Sequence, residues 1–154
     1  MRNRVLANNY LIARGNANCE TALSGVSALP ASGSFVDVSG YEYVHILIHL
    51  GTLHASDSPV FEPKCSDAAN GTLDRIDSTL AKTPDVTADD GQVLVWSIKT
   101  DTLPADHHFL AVAVSGTLTN GSYADVLFLL EPRHLPVTQT AAVCPSDNQF
   151  YWVN

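Results

Sequence analysis

Histidine and aspartate are the residues through which this chain could do chemistry, and their spacing sets how they would do it. His45 and His49 are four apart. That spacing brings two imidazoles to one metal only on a helix, as in the H-E-x-x-H arrangement. The surrounding Val44-His45-Ile46-Leu47-Ile48-His49-Leu50 alternates like a strand, which separates the two rings by about 13 Å at ~3.3 Å per residue, too far for a shared ion. His107-His108 alternate at the start of another strand, and His134 falls in a closing turn.

The acidic groups read similarly. Asp67 to Asp77 spells D-A-A-N-G-T-L-D-R-I-D, without the carboxylates at positions 1, 3 and 5 that a Ca²⁺ loop needs before its glycine. Asn70-Gly71 points instead to a hairpin turn. Asp85, Asp89 and Asp90 share the long segment Ser78 to Gly91, which reads as a solvated surface loop. For covalent chemistry there is no G-x-S-x-G, no cysteine with an evident histidine partner and no glycine-rich phosphate cradle. The expectation is therefore no enzyme, no cofactor and no metal. A buried Ser-His-Asp or paired-carboxylate cluster would overturn it.

The elements that must position these groups are strands. Apolar runs rich in Val, Ile and Leu, bounded by Gly, Pro, Asn or Asp, predict seven of them: Ser34 to Val38, Glu42 to Leu50, Val60 to Ser66, Leu73 to Asp77, Gln92 to Lys99, His108 to Ser115 and Ala124 to Leu130. Asn70-Gly71 and Asn120-Gly121 each predict an antiparallel hairpin with φ > 0. No segment offers a long amphipathic helix, so the class is all-β. The expected fold is a single antiparallel β-sandwich of about seven strands, jelly-roll or Ig-like. Residues 44, 46, 48 and 50 form the core face of a central strand. Val93 to Trp96 and Val126 to Leu130 are apolar on both faces and need an outer cover.

The chain of 154 residues is the size of one domain, enough to bury roughly 68–70% of its unfolded surface. No uncharged apolar run approaches the ~18 residues of a membrane helix, so the expectation is a soluble protein with no membrane partner. Charged residues are 16% of the chain and the net charge is −8, against about 25% charged in an average domain. That balance excludes nucleic acid, whose phosphates need clustered Lys and Arg. Arg2, Arg4 and Arg14 put +3 on the first 14 residues, leaving 5 basic and 16 acidic side chains, or −11, on the rest.

Cys19, Cys65 and Cys144 are an odd number at wide spacing, so they read as reduced thiols in a protein made in the cytoplasm. Asn8, Asn9 and Arg14 interrupt any apolar region of an export signal.

Outside the strands lie two irregular ends. Residues 1–33 read as an extended N-terminal arm, 34–136 as the sandwich core and 137–154 as a C-terminal tail. Fully extended, the arm reaches about 110 Å at ~3.3 Å per residue. The arginines Arg2, Arg4 and Arg14, with Tyr10, Leu11 and Ile12, suit binding by charge and strand addition. Phe150, Tyr151, Trp152 and Val153 suit aromatic anchoring.

The string G-S-F-V-D-V-S-G-Y-E-Y-V-H-I-L-I-H-L-G from Gly33 to Gly51, the S-D-A-A-N-G-T segment from Ser66 to Thr72 and the closing E-P-R-H-L-P from Glu131 to Pro136 resemble small β-sandwich virion proteins of tailed bacteriophages. The resemblance spans about Ser34 to Pro136. Where members of that family commonly carry Lys-Arg-Tyr, this chain has His107-His108-Phe109.

The resemblance implies a structural head protein: a capsid decoration or cement protein on the outer surface of the head. Its partners would be the major capsid protein and further copies of itself, as a homotrimer or dimer. A tail or fibre module that binds carbohydrate through Trp96, Tyr123 or Trp152 is the alternative.

Overall fold

The structure, a computed structural model, describes residues 11–14, 21–118 and 121–133. Among the described residues ten strands run in chain order: β1 (Leu11–Arg14), β2 (Thr21–Ala22), β3 (Ala28–Leu29), β4 (Val36–Asp37), β5 (Tyr41–Leu50), β6 (Ser58–Ser66), β7 (Asp74–Arg75), β8 (Val93–Lys99), β9 (Phe109–Thr117) and β10 (Tyr123–Pro132). They form two antiparallel sheets. Sheet A has the order β1-β10-β5-β8, with β2 also on β10; sheet B has β3-β9-β6-β7, with β4 also on β9. Among the described residues the only helical pieces are two 3₁₀ turns, Ser78–Leu80 and Thr100–Thr102, and no helix is long and apolar enough to cross a membrane.

The period-2 pattern explains the layering. On β5, Val44, Ile46, Ile48 and Leu50 are fully buried. They face Phe61, Cys65, Leu110, Val112 and Val114 of sheet B in one core. On β10 the inward residues are Ala124, Val126, Phe128 and Leu130, and on β8 they are Trp96 and Ile98. Two sheets each offering one apolar face pack this way because each face alone would stay wet.

All seven predicted strands are present, but three features differ from expectation. First, residues 11–14 and 21–33 are not part of a free arm. Thr21–Ala22 and Leu11–Arg14 edge sheet A on β10, and Ala28–Leu29 and Val36–Asp37 edge sheet B on β9. Leu23 and Leu29 lie in the main core, so the domain begins well before Ser34. These pieces are too short to show alternation, which is why periodicity passed over them.

Second, β9 and β10 are not a hairpin. They belong to different sheets, so the Asn120-Gly121 link crosses the sandwich; Gly121 takes φ +90°, and Asn120 lies outside the described residues. Third, the β6–β7 hairpin forms, pairing Lys64 with Arg75 and Cys65 with Asp74, but it turns through residues 67–73 rather than a tight two-residue turn, and Gly71 does not take the expected positive φ. There Gly71 supplies room, since a Cβ would meet Ser66 Oγ at 2.5 Å and Asp67 Oδ1 at 2.6 Å.

Candidate interaction surface

Each sheet has an outer face, and the two are finished differently. On sheet B the outward residues include Ala28, Ala111 and Ala113, with Ala28 opposite Ala113. Small side chains there leave a shallow bed, and Phe35 lies in it, buried with Ala28 and Ala111 and flanked by Leu73 and Phe109. Gly33 N and Phe35 N both donate to the Ala69 carbonyl, at 2.9 and 3.3 Å, which ties the 31–35 segment to the β6–β7 loop. Beside this cluster the nearly buried Glu62 carboxylate accepts from Arg75 Nε at 2.6 Å and holds Lys64 Nζ at 3.4 Å. The chain covers this face with its own residues.

Among the described residues sheet A is open by contrast. Its pairing sets four rows across β10, β5 and β8: Glu131·Tyr43·Lys99, Leu129·His45·Ser97, Leu127·Leu47·Val95 and Asp125·His49·Val93. Val93 and Val95 are 50% and 59% exposed, while Leu47, Leu127 and Leu129 are half-buried. The two segments expected to need an outer cover therefore lie on the two flanks of β5, on β8 and β10. The Tyr43 and His45 rings stack at 6.5 Å between centroids, and His45 Nδ1 lies 2.9 Å from Ser97 Oγ. His45 and His49 share this face, as the strand reading requires.

At one end of the sandwich a cleft of about 360 Å³ opens between the β4–β5 turn, the Thr100–His108 segment and Arg133. Asp101 holds two cations there, Arg133 Nη2 at 2.6 Å and Lys99 Nζ at 3.5 Å, and Thr100 Oγ1 donates to the Tyr41 carbonyl at 2.6 Å. Asp106 adopts φ +67°, a left-handed conformation that aspartate tolerates better than most residues. Burial, reinforced by Asp37, pushes the Tyr41 phenol up. His107 sits beside the cleft with Nδ1 3.0 Å from the Ala105 carbonyl and Nε2 3.0 Å from Asp74 Oδ2. Two acceptors favour the imidazolium, so its pKa is raised, first by the Ala105 carbonyl and then by Asp74.

A serine, a histidine and an aspartate do meet. Ser122 Oγ donates to Asp57 Oδ2 at 2.8 Å, with both residues buried, and accepts from the backbone N–H of His54 at 3.1 Å. The His54 ring faces elsewhere, its Nδ1 accepting from Ser56 N at 3.2 Å. A nucleophile needs its oxygen on the imidazole. Here the hydroxyl spends its proton on the carboxylate, and the trio ties the 51–57 loop to the start of β10.

The acidic loop likewise satisfies itself. Asp85 accepts from Thr87 N and Oγ1 at 2.8 and 2.7 Å, which holds its carboxyl below the usual range. Asp89 accepts from Asp85 N at 2.8 Å and Asp90 from Leu53 N at 2.7 Å. Among the described residues no group of three His, Cys, Asp or Glu could hold a metal. Cys65 is buried, and burial with Asp74 nearby pushes its thiol up, which makes it a poor nucleophile.

Of the residues expected to bind a partner, Leu11, Ile12 and Arg14 form β1, registered on Leu130, Leu129 and Leu127 of the same chain. The strand addition read from this segment thus occurs within the chain. Arg2, Arg4, Tyr10, Phe150, Tyr151, Trp152 and Val153, with Cys19, Cys144 and His134, lie outside the described residues. Of the aromatics expected to stack on a sugar, Trp96 is buried with Nε1 donating to the Leu80 carbonyl at 2.9 Å, Tyr123 is exposed, and Trp152 is outside the described residues. The open face of sheet A is the surface that sequence reasoning found only in part: its apolar runs gave it away, but not that Leu47 would join them. Comparison with protein-family models finds no match, and comparison with curated proteins finds none.

Proposed function

We propose that this chain is a structural virion protein, a decoration or cement protein that binds the outer surface of a tailed-phage head and stabilises it. In this reading it acts through surfaces rather than catalysis, uses no cofactor, and has the major capsid protein and further copies of itself as partners. It is made in the host cytoplasm and ends on the capsid surface.

The observation that carries the reading is the uncovered apolar face of sheet A on a chain only 16% charged. Exposed patches of that kind mark interaction surfaces. The resemblance of Gly33 to Gly51 and Glu131 to Pro136 to phage head proteins supplies the kind of partner. The first string runs through β4 of sheet B into β5 of sheet A, and Glu131 and Pro132 of the second end β10 beside β5. The arginines of the first 14 residues and the aromatic C-terminus remain the proposed capsid contacts, each made at high effective concentration once the domain is seated.

The test is co-sedimentation of the purified protein with isolated heads of the phage that encodes it. Full-length protein should saturate the heads in many copies. Removing residues 1–10, together with Tyr151→Ala and Trp152→Ala, should abolish binding while leaving the fold intact. A deletion reaching residue 30 would not be a fair test, because it removes Leu23 and Leu29 from the core. Undiminished binding by the truncated variant would remove the terminal contacts from the proposal, and no binding by the full-length chain would end it.

A further inference from the structure

We propose that the open face of sheet A is a self-association surface on which a second copy of this chain packs face to face, about a two-fold axis running along β5. This deepens the self-association part of the proposed function and rests on it. It needs no capsid.

The argument is self-complementarity. A homodimer interface of this kind must present the same patch twice, each residue meeting its counterpart's partner. Two sheets packed about 10 Å apart allow two in-plane two-fold axes, one along the strands and one across them. The register distinguishes them. An axis along β5 keeps each row facing itself and lays β10 of one copy over β8 of the other. Leu127 then meets Val95 of the second copy, Leu47 meets itself, and Glu131 meets Lys99 of the second copy, every contact between different residues occurring twice.

An axis across the strands instead lays β10 over β10 and the first row over the fourth. It sets Glu131 against Asp125 of the second copy, twice, and leaves Lys99 over Val93. Like charges in apposition are unfavourable and opposite charges favourable, so the axis along β5 wins. The Lys99 ammonium has three donors, so its 3.5 Å pairing with Asp101 leaves capacity for a carboxylate from a second copy. The row of Asp125 and Val93 falls at the rim, where the ~30° crossing of packed sheets splays the strands.

The occupant must also cover what is bare. Val93 and Val95 are the two most exposed large apolar side chains described. Both lie on the edge strand β8, where the axis brings β10 of the second copy, with Leu127 over Val95 and Asp125 over Val93 at the rim. Among the described residues sheet B offers no comparable surface, since Phe35 already lies on it.

The test uses the purified full-length chain, without capsids, in sedimentation equilibrium. The wild type should form a dimer. Val95→Lys should raise the dissociation constant about 100-fold or more by placing a charge in the apolar row, while circular dichroism, and the melting temperature at a dilution where the wild type is monomeric, stay those of the wild type. Lys99→Glu and Glu131→Lys should each weaken the dimer about tenfold, and the double variant should restore it. A wild type that stays monomeric, or a dimer that survives Val95→Lys, would overturn the surface. Failure of the double variant to recover would overturn the axis. Head binding is measured separately, so loss of the capsid role and loss of this interface give different results.

Discussion

The two outer faces of this sandwich begin from similar strands and end in opposite conditions. Sheet B carries alanines on its outer face, which let Phe35 and the 31–35 segment fold down against it. Sheet A carries Leu47, Val93, Val95, Leu127 and Leu129, side chains that stand too tall for a short segment to bed between them. The size of the outward residues, more than their polarity, decides which face the chain can finish by itself. A small-residue bed invites an intramolecular lid; a row of branched residues is a flat apolar plane suited to another sheet.

That contrast can be broken most forcefully at Phe35. Replacing it with alanine should cost about 3 kcal/mol in urea unfolding, because it leaves a cavity over Ala28 and Ala111. A cost near zero would mean the lid is ornamental and the two faces alike. Next comes Glu62→Ala, expected to cost about 2 kcal/mol by leaving Lys64 and Arg75 facing each other beside a half-buried gap; raised salt should recover part of it.

Sheet A should behave in the opposite way. Val93→Thr with Val95→Thr keeps strand propensity and should change the unfolding stability of dilute, monomeric protein by no more than about 0.5 kcal/mol, while weakening self-association measured by sedimentation at higher concentration. A loss as large as that at Phe35 would show that these valines already support the monomer.

The smallest effect concerns His107, which ties the 100–108 segment to Asp74 of sheet B. Its folded-state pKa is raised, so the protonated form is favoured by the native fold. The contribution is complete below the ordinary histidine pKa of about 6.5 and is lost as pH rises through the raised folded value. His107→Gln should therefore lower the melting temperature at pH 5.5 and leave it unchanged at pH 9, a difference that scanning fluorimetry across pH would record.

Much of this was legible from alternation. Residues 42 to 50 announce a central strand, and the face assigned to Val44, Ile46, Ile48 and Leu50 is the buried one. The apolar duplication in Val93 to Trp96 and Val126 to Leu130 foretold an unfinished outer face. What escaped was long-range. Two-residue strands such as Thr21–Ala22 and Ala28–Leu29 have no period to read, and only the arrival of β10 and β9 makes them strands. The Asn120-Gly121 signal marked a turn correctly but not that its two strands part to different sheets, because turn chemistry sets a local bend and not the partner beyond it. Glu62 offered no sign of burial, since its two cations come from positions 64 and 75 through a register fixed by the hairpin.

The pairing of β1 with β10, Leu11 on Leu130 and Arg14 on Leu127, joins nearly opposite ends of the chain. During synthesis, β1 leaves the ribosome long before its partner exists, and so does β2, which uses the same neighbour. Closing so long a loop carries an entropic cost that must be met before the contacts form. Sheet A therefore cannot acquire its outer edge until translation has passed residue 130, and until then β10's place beside β5 is vacant and that flank of β5 is an unpaired edge. A cell producing many copies at once would hold nascent chains with this edge exposed side by side. Slowing synthesis between β9 and β10 would lengthen that exposure, and the yield of folded protein would fall with it.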